Sequence, residues 1–394
     1  YLRPLIKAIA PVSEELIISR ATSSKRRLLE QAQETLQYKP LSSKDAAIKM
    51  FLKDDKYPLT DDLATYLSQE PDSSYGAPRC IQYRNKRYCL RLATYLHPIE
   101  EHCYAAVDWT DTPIFSKGRN LKQRGADLHG KWNSFVKPLA LLLDHSKFDA
   151  HVTLQLLNME HKFYRACNDS QELKDLLSGQ LLNKGRTKNG TTYTTKATRM
   201  SGDQNTGLGN SLINYAMLSA FAKHFDLKHS IYVDGDDSVI IIENEGKHYD
   251  LKYFEQFGMK TKGSSTTEFS QVEFCQTRPV ELDAGWTMVR NPYRLLLRTP
   301  WTVKQLTQRQ LLPYMASVGR CELALGMGAP IGQYLGEKLA QLSHRHVITD
   351  LEYVAKQQHY RPLRAHLVPP SDAARESYYQ AWNINPDQQR EIER

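Results

Sequence analysis

The sequence has few cysteines, and none is arranged to staple the chain or to ligate a metal. Six occur in 394 residues, at Cys80, Cys89, Cys103, Cys167, Cys275 and Cys321, and no two form a C-x-x-C pair. This excludes a disulfide framework and a zinc ribbon, and it suits a reducing compartment. No uninterrupted apolar run approaches the roughly 20 residues that a membrane-crossing helix requires. No membrane contact is therefore evident in this sequence. Internal repeats and low-complexity linkers are also lacking. The chain begins at Tyr1 with no signal-peptide pattern, so it reads as a piece of a longer product.

What is present is a basic globular composition. The formal net charge is +8, with 41% hydrophobic residues. A basic surface favours a polyanionic partner, although ordinary solubility charge explains the balance equally well. The length suits two or three subdomains on one framework. Helical patterns are expected around Glu14 to Gln37 and Asp45 to Leu52. Residues 160–195 are polar and turn-rich and read as an excursion. A helix is expected to run from the Gly/Asn-rich segment 201–210 to about His224. From about Asp283 the chain reads as mainly helical, punctuated by Pro300, Pro313 and Pro330. Strands and helices interleave without a βαβ rhythm, which predicts the α+β class.

The strongest local signal is Asp234-Gly235-Asp236-Asp237 between the apolar runs Ile231–Val233 and Val239–Ile242. A two-strand hairpin fits, with Gly235 in the turn. Carboxylates about 4 Å apart repel by roughly 4 kcal/mol at an effective dielectric near 20, so the crowding calls for a cation or a proton. A solvated turn explains a bare D-G-D-D equally well. A second acidic element shifts the balance. The apolar run Leu139–Leu143 reads as a buried strand ending at Asp144, with Asp149 five residues on. Asp144, Asp236 and Asp237 could together hold two Mg2+ ions, with Mn2+ as a substitute, for in-line phosphoryl transfer.

A third element is Ser201-Gly202-Asp203-Gln204-Asn205-Thr206-Gly207-Leu208-Gly209-Asn210. Thr206 and Asn210 lie four apart, on one helical face. With Asp149 they would form a pocket for a ribose 2′-hydroxyl. Gly207 and Gly209 each weaken a helix by about 1 kcal/mol, which suggests close approach of another backbone or a nucleic acid. Packing against a sheet explains the glycines slightly better.

In this order the three segments resemble the palm motifs A, B and C of viral RNA-dependent RNA polymerases. The similarity is greatest to the tombusvirus and carmovirus group. Its D-x-S-x-F-D-x-H-V is matched by Asp144, Ser146, Phe148, Asp149, His151 and Val152, and its S-G-D-x-N-T-x-L-G-N by Ser201 to Asn210. Ala77-Pro78-Arg79 through Pro98-Ile99-Glu100, Lys117-Gly118-x-Asn120 and Lys131-Trp132-x-x-Phe135 are similar too. So are Glu273 to Val280, like motif E, and Gly319-x-Cys321 through Pro330. The likeness covers about residues 49 to 335.

The resemblance implies a right-hand fold of fingers, palm and thumb with an antiparallel palm sheet. Its expected divisions are fingers 1–135, palm 136–160, a fingers insertion 161–195, palm 196–282 and thumb 283–394. It implies metal binding by Asp144 and Asp236 with Asp237 assisting. Asp149 and Asn210 would read the 2′-hydroxyl, supported by Ser201, Gly202 and Thr206. The partners implied are a single-stranded RNA template, nascent RNA, ribonucleoside triphosphates and other viral replication proteins. The place implied is the host cytoplasm, in membrane-associated complexes anchored by segments outside this chain. Two departures stand out: Asp234 occupies a position where the group often has Asn, and either Lys260 or Lys262 could be the motif D lysine.

The cluster Arg79, Arg84, Lys86, Arg87 and Arg91, with Tyr83 and Tyr88, would by this resemblance be motif F, binding triphosphate and template, with Lys53 and Lys56 as further candidates. Taken alone, it reads better as a solvated charged hairpin. Arg290, Arg294 and Arg298 could line a helical stripe for nucleic acid, or be plain surface charge. His344 and His346 read as surface residues. Two alternative functions are a reverse transcriptase, which usually carries Y-x-D-D and is disfavoured by Asn210, and a non-catalytic RNA-binding scaffold, which is disfavoured by the intact aspartates.

Overall fold

The computed structural model describes residues 1–53, 79–345 and 364–394. Lys56, Ala77, Pro78 and His346 lie outside the described residues. Two units are distinguished: Tyr1–Phe51, Gln82–Arg119 and Ala126–Cys275 form the first, and Leu52–Ile81, Asn120–Gly125 and Gln276–Arg394 the second.

The first unit opens with α1 (Glu14–Ser19), whose N-cap Ser13 accepts from the Leu16 amide, and α2 (Ser23–Tyr38). The helix expected over Asp45 to Leu52 does not form. Residues Ser43–Ala46 make a single tight turn, and β1 (Ile48–Leu52) follows. The apolar residues Ile48, Met50 and Leu52 alternate, and β1 pairs in parallel with β4 (Leu182–Arg186), a long-range contact that overrides the local pattern. With β2 (Cys80–Tyr83), β3 (Pro138–His145) lying elsewhere, and β5 (Thr192–Lys196), these strands make a sheet of order β2-β1-β4-β5. Residues 160–195 hold the helix Gln171–Ser178, β4 and most of β5, in a sheet separate from the central one.

The central sheet has the order β6-β7-β3-β8, with β6 (His229–Asp234), β7 (Asp237–Glu243) and β8 (Thr261–Thr266). All its pairings are antiparallel. Val239, Ile240, Ile241 and Ile242 are wholly buried, so β7 is covered on both faces. The helix Thr206–His224 packs against this sheet, burying Leu212, Ile213, Leu218 and Phe221 in the main core. The mixed helices and antiparallel sheets bear out the α+β expectation.

In the second unit, β9 (Thr277–Leu282) and β10 (Gly285–Arg290) form an antiparallel hairpin. A strand therefore interrupts the stretch expected to be mainly helical from Asp283. It survives because Val280, Leu282 and Val289 pack with Tyr378 and Trp382 of the helix Asp372–Trp382. Arg290 ends β10 and pairs with Glu322, while Arg294 and Arg298 lie on the helix Pro292–Arg298. The three arginines do not form one helical stripe. Pro313 sits inside the helix Gln308–Gly326 instead of ending it. His344 is exposed, as expected.

Candidate active site

One row across the central sheet gathers the acids. Asp234 of β6 pairs with Asp237 of β7. Leu143 of β3 pairs with Ser238, so the next step brings Asp144 level with Asp237. On the other side of β3, Asp144 pairs with Lys262 of β8. Directly opposed residues in an antiparallel sheet share a face. The row thus reads Asp234, Asp237, Asp144, Lys262. Asp236 stands in the turn beside it, where Gly235 takes φ +69° at the position a Cβ would disfavour. The amide of Lys260 is not in this row; its carbonyl accepts from the Ser146 amide at 2.9 Å.

The electrostatics follow from the crowding. Asp237 keeps contact with solvent, yet partial loss of water around its carboxyl, then the fields of Asp236, Asp234 and Asp144, push it up to about 6, against a bond to Cys275. Lys117 reaches Asp234 at 3.4 Å, a partly exposed pair that sets one positive charge beside the row. Among the described residues, no three His, Cys, Asp or Glu side chains form a ready-made metal cage. Magnesium commonly takes one or two carboxylates and completes its shell with substrate phosphates and water. The oxygen-only donors and the crowding of Asp236, Asp234 and Asp144 around Asp237 fit such an ion.

The expected ribose pair is brought together. Asn210 Nδ2 donates to Asp149 Oδ1 at 2.8 Å. Desolvation raises the Asp149 carboxyl, against the Asn210 bond and the nearby Arg199 charge. Thr206 shares the helix with Asn210 but donates to the Met200 carbonyl at 2.9 Å, tying the helix start to the preceding loop. Ser201 and Gly202 dock on β2: Gly202 N donates to Gln82 O at 2.7 Å, and Ser201 Oγ accepts from Gln82 N at 3.4 Å. A Cβ on Gly202 would sit 2.6 Å from that carbonyl, so glycine is required there. The close approach at Gly209 comes from the side chains of Glu160 and Arg199, and Gly207 meets only Lys117 and Tyr104 at ordinary contact distance. The nearest atoms at both glycines belong to side chains, not to another backbone.

The basic cluster divides. Arg84 is buried; its Nε donates to Asp203 at 2.6 Å, and its other nitrogens reach Ala46 O, Gly179 O and Asn183. Arg87 pairs with Asp45 at 3.1 Å, and Arg91 with Glu14 and Glu172. Their guanidinium groups are directed at protein partners. Lys86 begins the helix Lys86–Tyr104 after its N-cap Asn85. Arg79 precedes β2, and its carbonyl accepts from the Lys53 amide at 2.9 Å.

Sequence reasoning missed the supports of the acidic turn. Ser211 Oγ accepts from the Gly235 amide at 2.9 Å. Asn214 Nδ2 donates to Gly235 O at 3.2 Å and Asp236 O at 3.1 Å. Its Oδ1 faces His145 Nε2 at 3.3 Å, and burial lowers that histidine to about 4, so the ring is neutral at pH 7. Ser211 and Asn214, polar residues among the apolar positions 208–222 of this helix, were the available signal.

The chain matches the family model described as viral RNA dependent RNA polymerase over residues 2–394. It is similar to the RNA-directed RNA polymerase of Tobacco necrosis virus (strain A), with 34% identity covering 97% of this chain and 53% of that protein. The polymerase of Oat chlorotic stunt virus (isolate United Kingdom) is 31% identical, covering 100% and 54%, and that of Turnip crinkle virus 31%, covering 97% and 50%. The chain spans about half the length of the curated relatives it matches. These relatives bear out the likeness to the tombusvirus and carmovirus group. With the match running through the acid row and the Asp149–Asn210 pair, the chain belongs to the viral RNA-dependent RNA polymerase family.

Proposed function

We propose that this chain copies a single-stranded RNA template from ribonucleoside triphosphates, extending nascent RNA and releasing pyrophosphate. The observation that carries the reading is the Asp149–Asn210 hydrogen bond, in a sheet-and-helix framework that also sets Asp144 level with Asp237. Asp144 and Asp236 would hold two Mg2+ ions, with Mn2+ as a substitute and Asp237 beside them. When bound, the metal supplies charge that activates the attacking hydroxyl and stabilises the leaving group. The chain's own residues orient and select. Asn214 and Ser211 hold the acidic turn, Asn210 and Asp149 receive the 2′-hydroxyl, and Ser201, Gly202 and Thr206 shape the approach to that pair.

Of the two motif D candidates, Lys262 is favoured, because it faces Asp144 across the sheet. It would donate a proton to the departing pyrophosphate. The segment carrying Arg79, Arg84, Lys86, Arg87 and Arg91 would serve triphosphate and template contact, with Arg84, Arg87 and Arg91 supporting it through their ion pairs. The palm and most of the fingers would correspond to the first unit and the thumb to the second. Work in the host cytoplasm, in membrane-associated complexes with other viral replication proteins, belongs to the same proposal.

Incorporation of labelled ribonucleotide on a single-stranded RNA template tests the reading. Template-dependent product is expected from the wild type and none from Asp236→Ala. RNA binding without incorporation would favour a scaffold. Preferential use of deoxynucleotides would favour a reverse transcriptase.

A further inference from the structure

Asn210 has its amide oxygen engaged. Arg199 Nε donates to Asn210 Oδ1 at 2.9 Å while Asn210 Nδ2 donates to Asp149 Oδ1 at 2.8 Å. Turning that amide by half a rotation would set its NH2 group against a guanidinium and its oxygen against a carboxylate. The NH2 end is therefore locked on the Asp149 side.

Arg199 is itself held on several sides. Its side chain is 1% exposed and ion-paired with Glu160, whose side chain is 0% exposed. Asn205 Nδ2 donates to the second Glu160 oxygen at 2.6 Å, and Gln180 Nε2 donates to Asn205 Oδ1 at 2.7 Å. The Arg199 amide also donates to Asp149 O at 2.9 Å, so one residue braces both members of the pair. Gly209 leaves room for this arrangement, since a Cβ there would overlap Glu160 Oε1 and Arg199 Nη2. A buried ion pair is weak evidence for stability, and in some proteins it serves instead to specify one arrangement.

We propose that Arg199, held by Glu160, is a positioning residue for sugar selection, fixing the Asn210 amide so that its NH2 group stands beside Asp149. A ribose 2′-hydroxyl then accepts from Asn210 and donates to Asp149. A deoxyribose leaves the second Asn210 N–H and the remaining acceptor capacity of Asp149 unmatched, although the two side chains keep their own bond. Arg199 touches neither sugar nor metal; it acts through Asn210. The inference rests on the polymerase reading.

Arg199→Lys tests it. Lysine keeps the charge beside Glu160, but its ammonium lacks the planar fork that serves Glu160 and Asn210 together. The measurement is kcat/KM for matched ribo- and deoxynucleoside triphosphates on one RNA template. The ribo-over-deoxy ratio is expected to fall roughly ten- to a hundredfold, the scale of one hydrogen bond to a charged group. Most of the change should come from slower use of the ribonucleotide. A purely structural role would lower both substrates alike, and an unchanged ratio overturns the proposal. If Arg199→Lys does not fold, as judged by thermal unfolding, Glu160→Gln replaces it. That isosteric change keeps an oxygen for Asn205 but loosens Arg199, and the ratio should fall several-fold; an unchanged ratio again overturns the proposal. A wild type that incorporates neither nucleotide would instead break the polymerase reading.

Discussion

The carboxylates at the edge of the central sheet and those behind the helix Thr206–His224 are handled in opposite ways. In the acid row and the turn beside it, Asp144, Asp236 and Asp237 crowd together, and Asp237 is pushed up to about 6. In the network behind the helix, Asp203 meets Arg84 at 2.6 Å and Glu160 meets Arg199, with Gln180, Asn183 and Asn205 filling the remaining hydrogen-bond positions. Burial alone would raise Asp203, and the Arg84 charge pulls against it. The contrast separates two uses of one chemical group. Paired and desolvated, a carboxylate fixes geometry. Crowded with its own kind at a solvent-facing edge, it stores repulsion that a cation can relieve.

The comparison can be broken most sharply by removing single charges on each side. Asp144→Ala and Asp236→Ala should abolish nucleotide addition, by about a thousandfold or more, since several kcal/mol of charge stabilisation is lost. Neither should lower thermal stability in metal-free buffer. Arg84→Ala should do the reverse in kind. It strands Asp203 in the interior and should destabilise the fold by about 3–5 kcal/mol, read by urea unfolding. A loss below about 1 kcal/mol would show that the two regions do not differ as argued.

Asn214→Ala sharpens the account at the point where the regions meet. It removes two bonds to the carbonyls of Gly235 and Asp236. Stability should fall by about 1–2 kcal/mol and kcat by roughly tenfold, with KM little changed. A large rise in KM with normal kcat would place Asn214 in substrate binding instead.

The smallest effect is on pH dependence. Asp237 has a folded pKa above its unfolded value, so the native state binds more protons between about 4 and 6. Metal-free stability should therefore fall as pH rises through that window and level off above it. Solvent around the side chain keeps the change modest. Asp237→Asn or added Mg2+ should flatten the curve, and a rise in stability across the same window in Asp237-containing protein would contradict the crowding.

How much of this was legible depended on whether the signal was local. The hairpin around Gly235 and the strand ending at Asp144 were readable because alternation, apolar runs and turn chemistry act over a few residues. Strand β1 was not, because its partner lies more than 130 positions away, at Gly185 and Arg186. The Asp149–Asn210 pair was readable from motif spacing and resemblance together. The fate of Arg84 was not: a basic cluster records charge, not what each guanidinium faces, and Asp203 and Asn183 are distant in sequence. Glu160 and Arg199 escaped notice for the same reason, although Gly209 marked the space they fill.

The central claim is that the acid row and the ribose pair make one RNA-copying site. The most direct measurement is single-turnover extension of a primed RNA template with magnesium, offering each ribonucleotide and its deoxy counterpart in turn. The account predicts extension only by the complementary nucleotide, strong preference for the ribo form, and no extension by Asp236→Ala. Extension by Asp236→Ala at near-normal rate, or equal use of both sugars by the wild type, would contradict it.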